Sequence, residues 1–369
     1  MRIDELHNDA LQLLKRLIAT PSFSKEEDKT AGLIETFLQA RNIESARLLN
    51  NVWAKNKFFD KEKPTIFLNS HHDTVRPNKA YTQDPFLPLE KDGKLFGLGS
   101  NDAGGGLVSL IAAFVYFYDQ PDLKYNLVLA ATAEEEISGT NGVEALLDDP
   151  QFISETNLHS FEGWSAIVGE PTQMNMAIAE KGLLVLDCIA HGKAGHAARE
   201  EGVNAIYKAI RDIAWFSSYK FDKVSKLLGP VKMSVTIINA GSQHNVVPHE
   251  CRFTVDVRVN ELYDFEELLE IIRKNVECDV IPRSMRLRST NIALDHPLVQ
   301  AGIRLGKCYY GSPTTSDKAL MPFPALKIGP GDSARSHTAD EFISVNEIAE
   351  GIEMYIELLN SVILVAGYR

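Results

Sequence analysis

The residues of this chain best suited to chemistry are histidines and carboxylates that follow short apolar runs. Thr65-Ile-Phe-Leu-Asn-Ser runs into His71-His72-Asp73, and Leu127-Val-Leu-Ala-Ala is soon followed by Glu134-Glu135-Glu136. Ala166-Ile-Val leads to Gly169-Glu170-Pro171, and Ala325-Leu-Lys-Ile enters Gly329-Pro330-Gly331, with His337 beyond. A run at 94–96 continues through Gly97-Leu-Gly-Ser-Asn to Asp102 and on to three glycines. Singly these are weak signals: a His-x-Asp is usually a surface turn, and Gly-Glu-Pro a turn. A glutamate run is usually a solvated face, and one of these three is expected to be so. Jointly they bring two imidazoles and several carboxylates to successive strand ends, where open α/β sheets collect ligands. Nitrogen and oxygen donors without thiolate suit zinc or a similar divalent metal.

The elements that must position these residues can be read from periodicity. Ile3, Leu6, Ala10, Leu13, Leu14, Leu17 and Ile18 fall on helical spacing, and Pro21 ends that helix. Ser24 and Glu27 stand at capping-box spacing before a second helix, and Ser344 and Glu347 before the last one. Between them, short apolar runs alternate with helical stretches such as Leu107–Tyr118. That order predicts an α/β fold with a mostly parallel, doubly wound sheet. From about Lys181 to Arg288 the order changes to strand 183–191, helix 202–217, strands 231–239 and 251–259, helix 263–276 and a strand near 283–291. This β-α-β-β-α-β order is the split-βαβ, ferredoxin-like pattern. Phe253, Val255, Val257 and Val259 alternate with Arg252, Thr254, Asp256 and Arg258, so one face of that sheet is polar. The expected division is 1–180 for the first part of a catalytic domain, 181–290 for an inserted domain and 291–369 for the returning part.

Composition narrows the function classes. At roughly 150 residues per domain, 369 residues suggest two to three folding units. With 50 acidic against 38 basic residues the net charge is −12, which argues against a nucleic-acid or anionic-membrane surface. The longest apolar stretch, Leu107 to Tyr118, falls well short of the roughly twenty residues of a membrane span. Acids near the N-terminus do not suit a signal peptide, and the four separated cysteines suit a reduced, cytoplasmic setting.

Read in order, these segments resemble the two-zinc aminoacylase and carboxypeptidase superfamily. Its members include acetylornithine and N-acetyl-lysine deacetylases, succinyl-diaminopimelate desuccinylase, aminoacylase and bacterial glutamate carboxypeptidase. The resemblance runs through Pro21-Ser-Phe-Ser, Ser70-His-His-Asp-Thr-Val, Gly97-Leu-Gly-Ser-Asn-Asp, Ala133-Glu-Glu-Glu and Val168-Gly-Glu-Pro-Thr. It continues in Gly195-His-Ala, Asn245-Val-Val-Pro and Asp256-Val-Arg, and closes with Gly329-Pro-Gly-Asp-Ser and Ser336-His-Thr. It implies a zinc-exopeptidase fold with residues 181–290 as a lid and dimerisation domain.

Carried over residue by residue, the resemblance implies that His71 and Glu170 bind one Zn²⁺, Glu136 and His337 the other, and Asp102 both. Co²⁺ is expected to substitute. Asp73 would accept the His71 imidazole N–H. Glu135 would be the general base for a metal-bridging hydroxide attacking an amide, and the peptide after Asp102 would be cis. His196 would reach a partner subunit's site as an oxyanion donor, making the protein a homodimer. Asn245 and Arg258 match positions that hold a substrate carboxylate, and Gly329 belongs to a loop approached closely by substrate. His72, His159, His191, His244 and His249 are expected to be structural or exposed.

The implied reaction is hydrolysis of an N-acyl amino acid, as in acetylornithine deacetylases of arginine biosynthesis. The amino acid is left open among ornithine, citrulline, lysine and diaminopimelate, and the acyl group between acetyl and succinyl. Asp332 or Glu162 could meet a side-chain ammonium. The competing readings are a zinc exopeptidase acting on short peptides, a desuccinylase, a one-metal hydrolase, and a catalytically inactive metal- or ligand-binding protein.

Overall fold

A computed structural model describes residues 2–364. The last five residues of the expected closing segment, 365–369, lie outside the described residues. The chain forms two compact units: Ala179–Asn291 with Gly311–Thr315, and the remainder. The return of 311–315 to the second unit had no signature in the sequence pattern.

In the first unit the strands follow the order Ala46–Leu48, Asn51–Lys55, Asn126–Thr132, Thr65–His71, Trp164–Val168, Ala325–Lys327 and Met176–Glu180. The pairs among 126–132, 65–71, 164–168 and 325–327 are parallel, and those outside them antiparallel. Alternation along Thr65–His71 sends Ile66 and Leu68 into one apolar cluster and Phe67 into another, so both sheet faces are covered. Leu6, Ala10, Leu13, Leu14, Leu17 and Ile18 form one buried stripe on helix Ile3–Ile18. Helix Gly105–Phe117 has no exposed face along most of its length, because it packs against the first helix, the last helix and the sheet. Each large side chain it buries contributes about 1.5–3 kcal/mol.

Three sequence expectations need correction. Lys94–Phe96 lies in a separate small antiparallel sheet with Leu89–Lys91 and Phe342–Ser344. The Ser24–Glu27 pair is not a capping box: Glu27 itself is the N-cap of helix Asp28–Gln39, and Ser24 Oγ donates to Asp73. The Ser344–Glu347 box does form, at the head of helix Val345–Ile363. The strand expected near 283–291 is at Asp279–Pro282 instead. It is short, with only Val280 buried, and Arg283 then turns its guanidinium onto Asp187.

The second unit has the chain order strand Gly182–His191, helix Ala205–Ser218, strands Lys232–Ala240 and Glu250–Val259, helix Phe265–Asn275 and strand Asp279–Pro282. Its four strands pair antiparallel in the order 232–240, 250–259, 182–191, 279–282. Leu184, Leu186, Val255 and Val257 face the two helices within one core. The other sheet face is mixed, with Arg252, Asp256 and Arg258 opposite half-buried Ile189, Val185 and Leu183. Among the described residues, no helix is long and apolar enough to cross a membrane.

Candidate metal centre

His71 ends the central strand Thr65–His71 and is 1% exposed. Its Nδ1 lies 3.0 Å from the Asp73 carbonyl oxygen and 3.4 Å from Asp73 Oδ1. Nδ1–H is therefore shared between the Asp73 carbonyl and the Asp73 carboxylate, the partner expected from the sequence. The consequence for the ring is that the Nε2 lone pair faces inward, buried and without a hydrogen-bond partner.

The Asp73 carboxylate does other work. Glu134 takes a left-handed backbone, and Glu135–Ile137 form one tight helical turn. The N–H of Glu135 donates to Asp73 Oδ1 at 3.1 Å and that of Glu136 to Oδ2 at 3.2 Å, with Ser24 Oγ at 2.7 Å. Asp73 thus fixes the turn that aims both glutamates. The glutamate expected to be a solvated face is none of the three. Glu134 is buried, and its carboxylate accepts from Asn141 Nδ2 at 2.9 Å.

Asp102 sits in the turn Ser100–Gly104, entered through Gly99 in the left-handed region, and the Asp102–Ala103 peptide is cis. The turn is tied by Glu341, a buried acid that the sequence reading missed. Its carboxylate accepts the N–H groups of Gly99, Asn101 and Asp102 at 3.2, 2.8 and 2.9 Å. Asp317 was missed likewise. It is buried and accepts from Asn69 Nδ2 at 3.0 Å and Thr132 Oγ1 at 2.8 Å, joining the two parallel strands that end at the site.

Around Asp102 the donors converge on its two oxygens separately. His71 Nε2 is 3.5 Å from Asp102 Oδ1 and 3.7 Å from Glu170 Oε1, while His337 Nε2 is 3.6 Å from Asp102 Oδ2 and 3.0 Å from Glu136 Oε2. Donor atoms of His71, Asp102 and Glu136 all lie within 4.8 Å of one another. Donors about 2.0–2.2 Å from a tetrahedral zinc stand about 3.4 Å apart, so these separations and the orphaned His71 Nε2 fit a divalent ion on each side of Asp102. Glu135 Oε2 is 3.9 Å from His71 Nε2, beside this group of five.

The electrostatics follow from packing acids and imidazoles together. Burial pushes the Glu135 carboxyl well above its usual range; the His71 ring opposes this, and Glu170, Asp317 and Glu136 add to it. Burial disfavours charge on His71, yet the carboxylates of Asp102 and Asp73 outweigh it and raise that pKa. His337 is pushed up to about 9 by its bond to Glu136.

The first unit therefore brings together His71, Asp73, Asp102, Glu135, Glu136, Glu170 and His337. Gly329 is also beside them, but a side chain there would meet the Glu170 carbonyl at 2.6 Å and the Tyr355 hydroxyl at 2.9 Å. Its bareness makes room for Glu170 rather than for open space. His196, Asn245 and Arg258 belong to the second unit. There His196 pairs with Val246 in a two-residue ladder and is exposed, and the Asn245 carbonyl accepts the Ala197 N–H. Arg258 holds Asp256 through Nε and Nη2.

Comparison with known proteins agrees with this geometry. The family described as peptidase family M20/M25/M40 matches residues 67–361. Succinyl-diaminopimelate desuccinylase of Wolbachia pipientis subsp. Culex pipiens is 26% identical over 387 residues, covering 96% of this chain and 93% of that protein. Among solved structures, an M20 family metallo-carboxypeptidase from Sulfolobus solfataricus aligns with a TM-score of 0.75 at 16% identity, over 96% of this chain and 98% of that one. A dinuclear metal binding peptidase of the M20 family from Bacillus subtilis aligns with a TM-score of 0.68 at 15% identity, over 96% and 98%. With its match spanning most of the length, the chain is a metal-dependent hydrolase and belongs to peptidase family M20/M25/M40.

Proposed function

We propose that the protein hydrolyses the amide bond of an N-acyl amino acid, with Glu135 moving the proton. The observation that carries this is the placement of Glu135: beside the five converging donors, aimed by Asp73, and held by burial at a raised pKa. A group that takes and returns a proton near neutral pH needs such a shift. His71 and Glu170 would hold one divalent ion, Glu136 and His337 the other, and Asp102 both. Zinc is the expected metal and cobalt a substitute; bound there, the ions supply Lewis-acid charge for the carbonyl and acidity for a nearby water. Glu135 then accepts a proton from the water that adds to the amide carbon and delivers it to the nitrogen as the C–N bond breaks. His196 would donate to the oxyanion of a partner subunit's site, and Arg258 and Asn245 would hold a carboxylate.

An acetylornithine-type substrate needs an acid for the side-chain ammonium. Asp332 is engaged, capping the 333–335 turn through Ala334 N and accepting Gln173 Nε2 at 2.6 Å. The similarity to the Wolbachia desuccinylase supports a succinyl acyl group, and the likeness to the Sulfolobus metallo-carboxypeptidase supports the peptidase alternative. A panel of N-acetyl and N-succinyl amino acids against dipeptides, with metal content measured on protein purified without chelator, tests the reading. Cleavage of the acyl amino acids at least tenfold faster than dipeptides is expected; the reverse order makes the protein a peptidase.

A further inference from the structure

Among the five converging donors, His337 stands apart. Its side chain is 56% exposed, whereas those of His71, Asp102, Glu136 and Glu170 are at most 13% exposed. It lies in a loop, with its backbone at φ 59°, a left-handed conformation that a histidine keeps only where its surroundings enforce it. A ligand so placed meets an ion at the right distance only if its loop is held in place. Two anchors bound that loop. Arg335 forks onto the Glu347 carboxylate at 2.7 and 3.1 Å, and the buried Glu341 accepts N–H groups of the Asp102 turn.

Between these anchors Asp340 reaches sideways to a different part of the chain. Its Oδ1 accepts the N–H groups of Thr82 and Gln83 at 2.9 and 3.2 Å, and its Oδ2 the Thr82 hydroxyl at 2.6 Å. Thr82 and Gln83 belong to 75–88, the connection that follows His71-His72-Asp73 and contains no helix or strand. Unstructured connections of that length are uncommon in compact domains unless they serve a function. This one is seated beyond the clasp. The Pro85 carbonyl accepts the Leu98 N–H at 2.8 Å, and Phe86 meets Phe23 edge-on with ring centroids 6.0 Å apart. Asp340 therefore fastens the His337 loop to a segment already docked beside the Asp102 turn.

We propose that Asp340 is a positioning residue: by clasping Thr82 and Gln83 it holds the His337 imidazole within metal-binding reach of Glu136 and Asp102. This rests on the reading that His337 and Glu136 hold one of the two ions. Asp340 acts through the backbone and is not itself a ligand. Thr82 and Gln83 are exposed and Asp340 half-buried, so water can take over the bonds when the clasp is removed, and the fold is expected to survive.

The test follows zinc rather than turnover. The zinc-loaded full chain is mixed with increasing amounts of a chelating dye, and the zinc passed to the dye is counted for wild type, Asp340→Ala, Asp340→Asn and His337→Ala. His337→Ala marks the ion in question by losing it. Asp340→Ala is expected to release that same ion about tenfold more readily, with the other ion and the thermal midpoint unmoved. Asp340→Asn keeps an oxygen for the two N–H groups and offers its amide to the Thr82 hydroxyl, which can turn to accept. It should stay within about threefold of wild type. Wild-type release from Asp340→Ala, or an asparagine no better than alanine, overturns the proposal. So does loss of both ions together with a fall in the thermal midpoint, which would make Asp340 a support of the fold at large. Wild-type release from His337→Ala sinks the metal assignment instead, whereas a lost ion there beside an unchanged Asp340→Ala leaves the assignment standing and removes the clasp. Turnover gives a second readout. With limiting zinc, Asp340→Ala should show a lowered kcat that excess zinc restores, at unchanged KM; a raised KM that zinc does not restore would assign the 75–88 segment to substrate and overturn the proposal.

Discussion

Glu135 and Glu136 are neighbours in sequence, yet their surroundings divide the work between them. Glu136 meets His337 at 3.0 Å, whereas Glu135 stands beside the donor group with its carboxyl raised by burial. Glu135→Gln is therefore expected to keep its metal, measured by elemental analysis, while turnover falls about 10² to 10⁴-fold. Near wild-type turnover would show that another group carries the proton. His72 differs from its neighbour. Its ring is sandwiched between Thr30 Oγ1 and the Asn50 carbonyl, both at 2.9 Å, and burial lowers its pKa from 6.5 to about 4. The folded pKa lies below the unfolded one, so the unfolded chain binds the proton more readily. The contribution is full above about pH 6.5 and is lost as pH falls toward 4, about 3 kcal/mol at most. Urea denaturation at several pH values should show His72→Gln losing less stability than wild type between pH 6.5 and 4.5. Parallel curves for the two proteins would mean that His72 is not buried neutral.

At the level of elements, the site depends on two carboxylates that hold backbone. Asp73 receives the N–H groups of Glu135 and Glu136, and Glu341 those of Gly99, Asn101 and Asp102. Asp73→Asn turns one acceptor into a donor facing an N–H, so the 135–137 turn must shift. Its metal affinity, read by competition with a chelating dye, is expected to drop about 10 to 100-fold while helix content stays unchanged. Unaltered affinity would reduce Asp73 to a packing role. These supports mark the boundary of what sequence can reveal. His71, Glu170 and the glutamate run were legible because apolar strands end immediately before them, and strand ends are where a parallel sheet presents ligands. Asp317 and Glu341 were not, because their partners lie some 185 to 248 residues away and nothing local distinguishes a buried acid from a solvated one. The 94–96 strand was assigned to the main sheet for a related reason: its apolar run is real, but its partners, 342–344 and 89–91, are set by tertiary packing. Periodicity located the second unit's helices to within a few residues, since each needs a continuous buried stripe, whereas the short Asp279–Pro282 strand has only Val280 buried.

For the whole molecule, the second unit leaves an edge uncovered. Strand Lys232–Ala240 lies at the border of its sheet, with Ile237 and Ile238 about half exposed, and Tyr207 and Ile210 on helix Ala205–Ser218 are more than half exposed. An apolar edge strand beside exposed aromatic and aliphatic side chains invites pairing with another chain, and a second copy offers the same surface in return. A homodimer through this unit is therefore expected in solution, and Ile238→Glu should shift the mass measured by light scattering toward that of one chain. His196 belongs to the same unit, exposed on the Gly195–His196 ladder. If it serves the partner subunit's site, loss of that single oxyanion donor costs about 10² to 10³ in kcat with metal content unchanged. Mixing a His196→Ala chain with a Glu135→Gln chain separates service in trans from service in cis. In the trans arrangement one site of each mixed dimer unites an intact Glu135 with the other subunit's intact His196, so activity returns to about a quarter to a half of wild type. In the cis arrangement every site still lacks one of the two groups, and the mixture stays as inactive as its parts even when light scattering and differential tagging show that mixed dimers have formed.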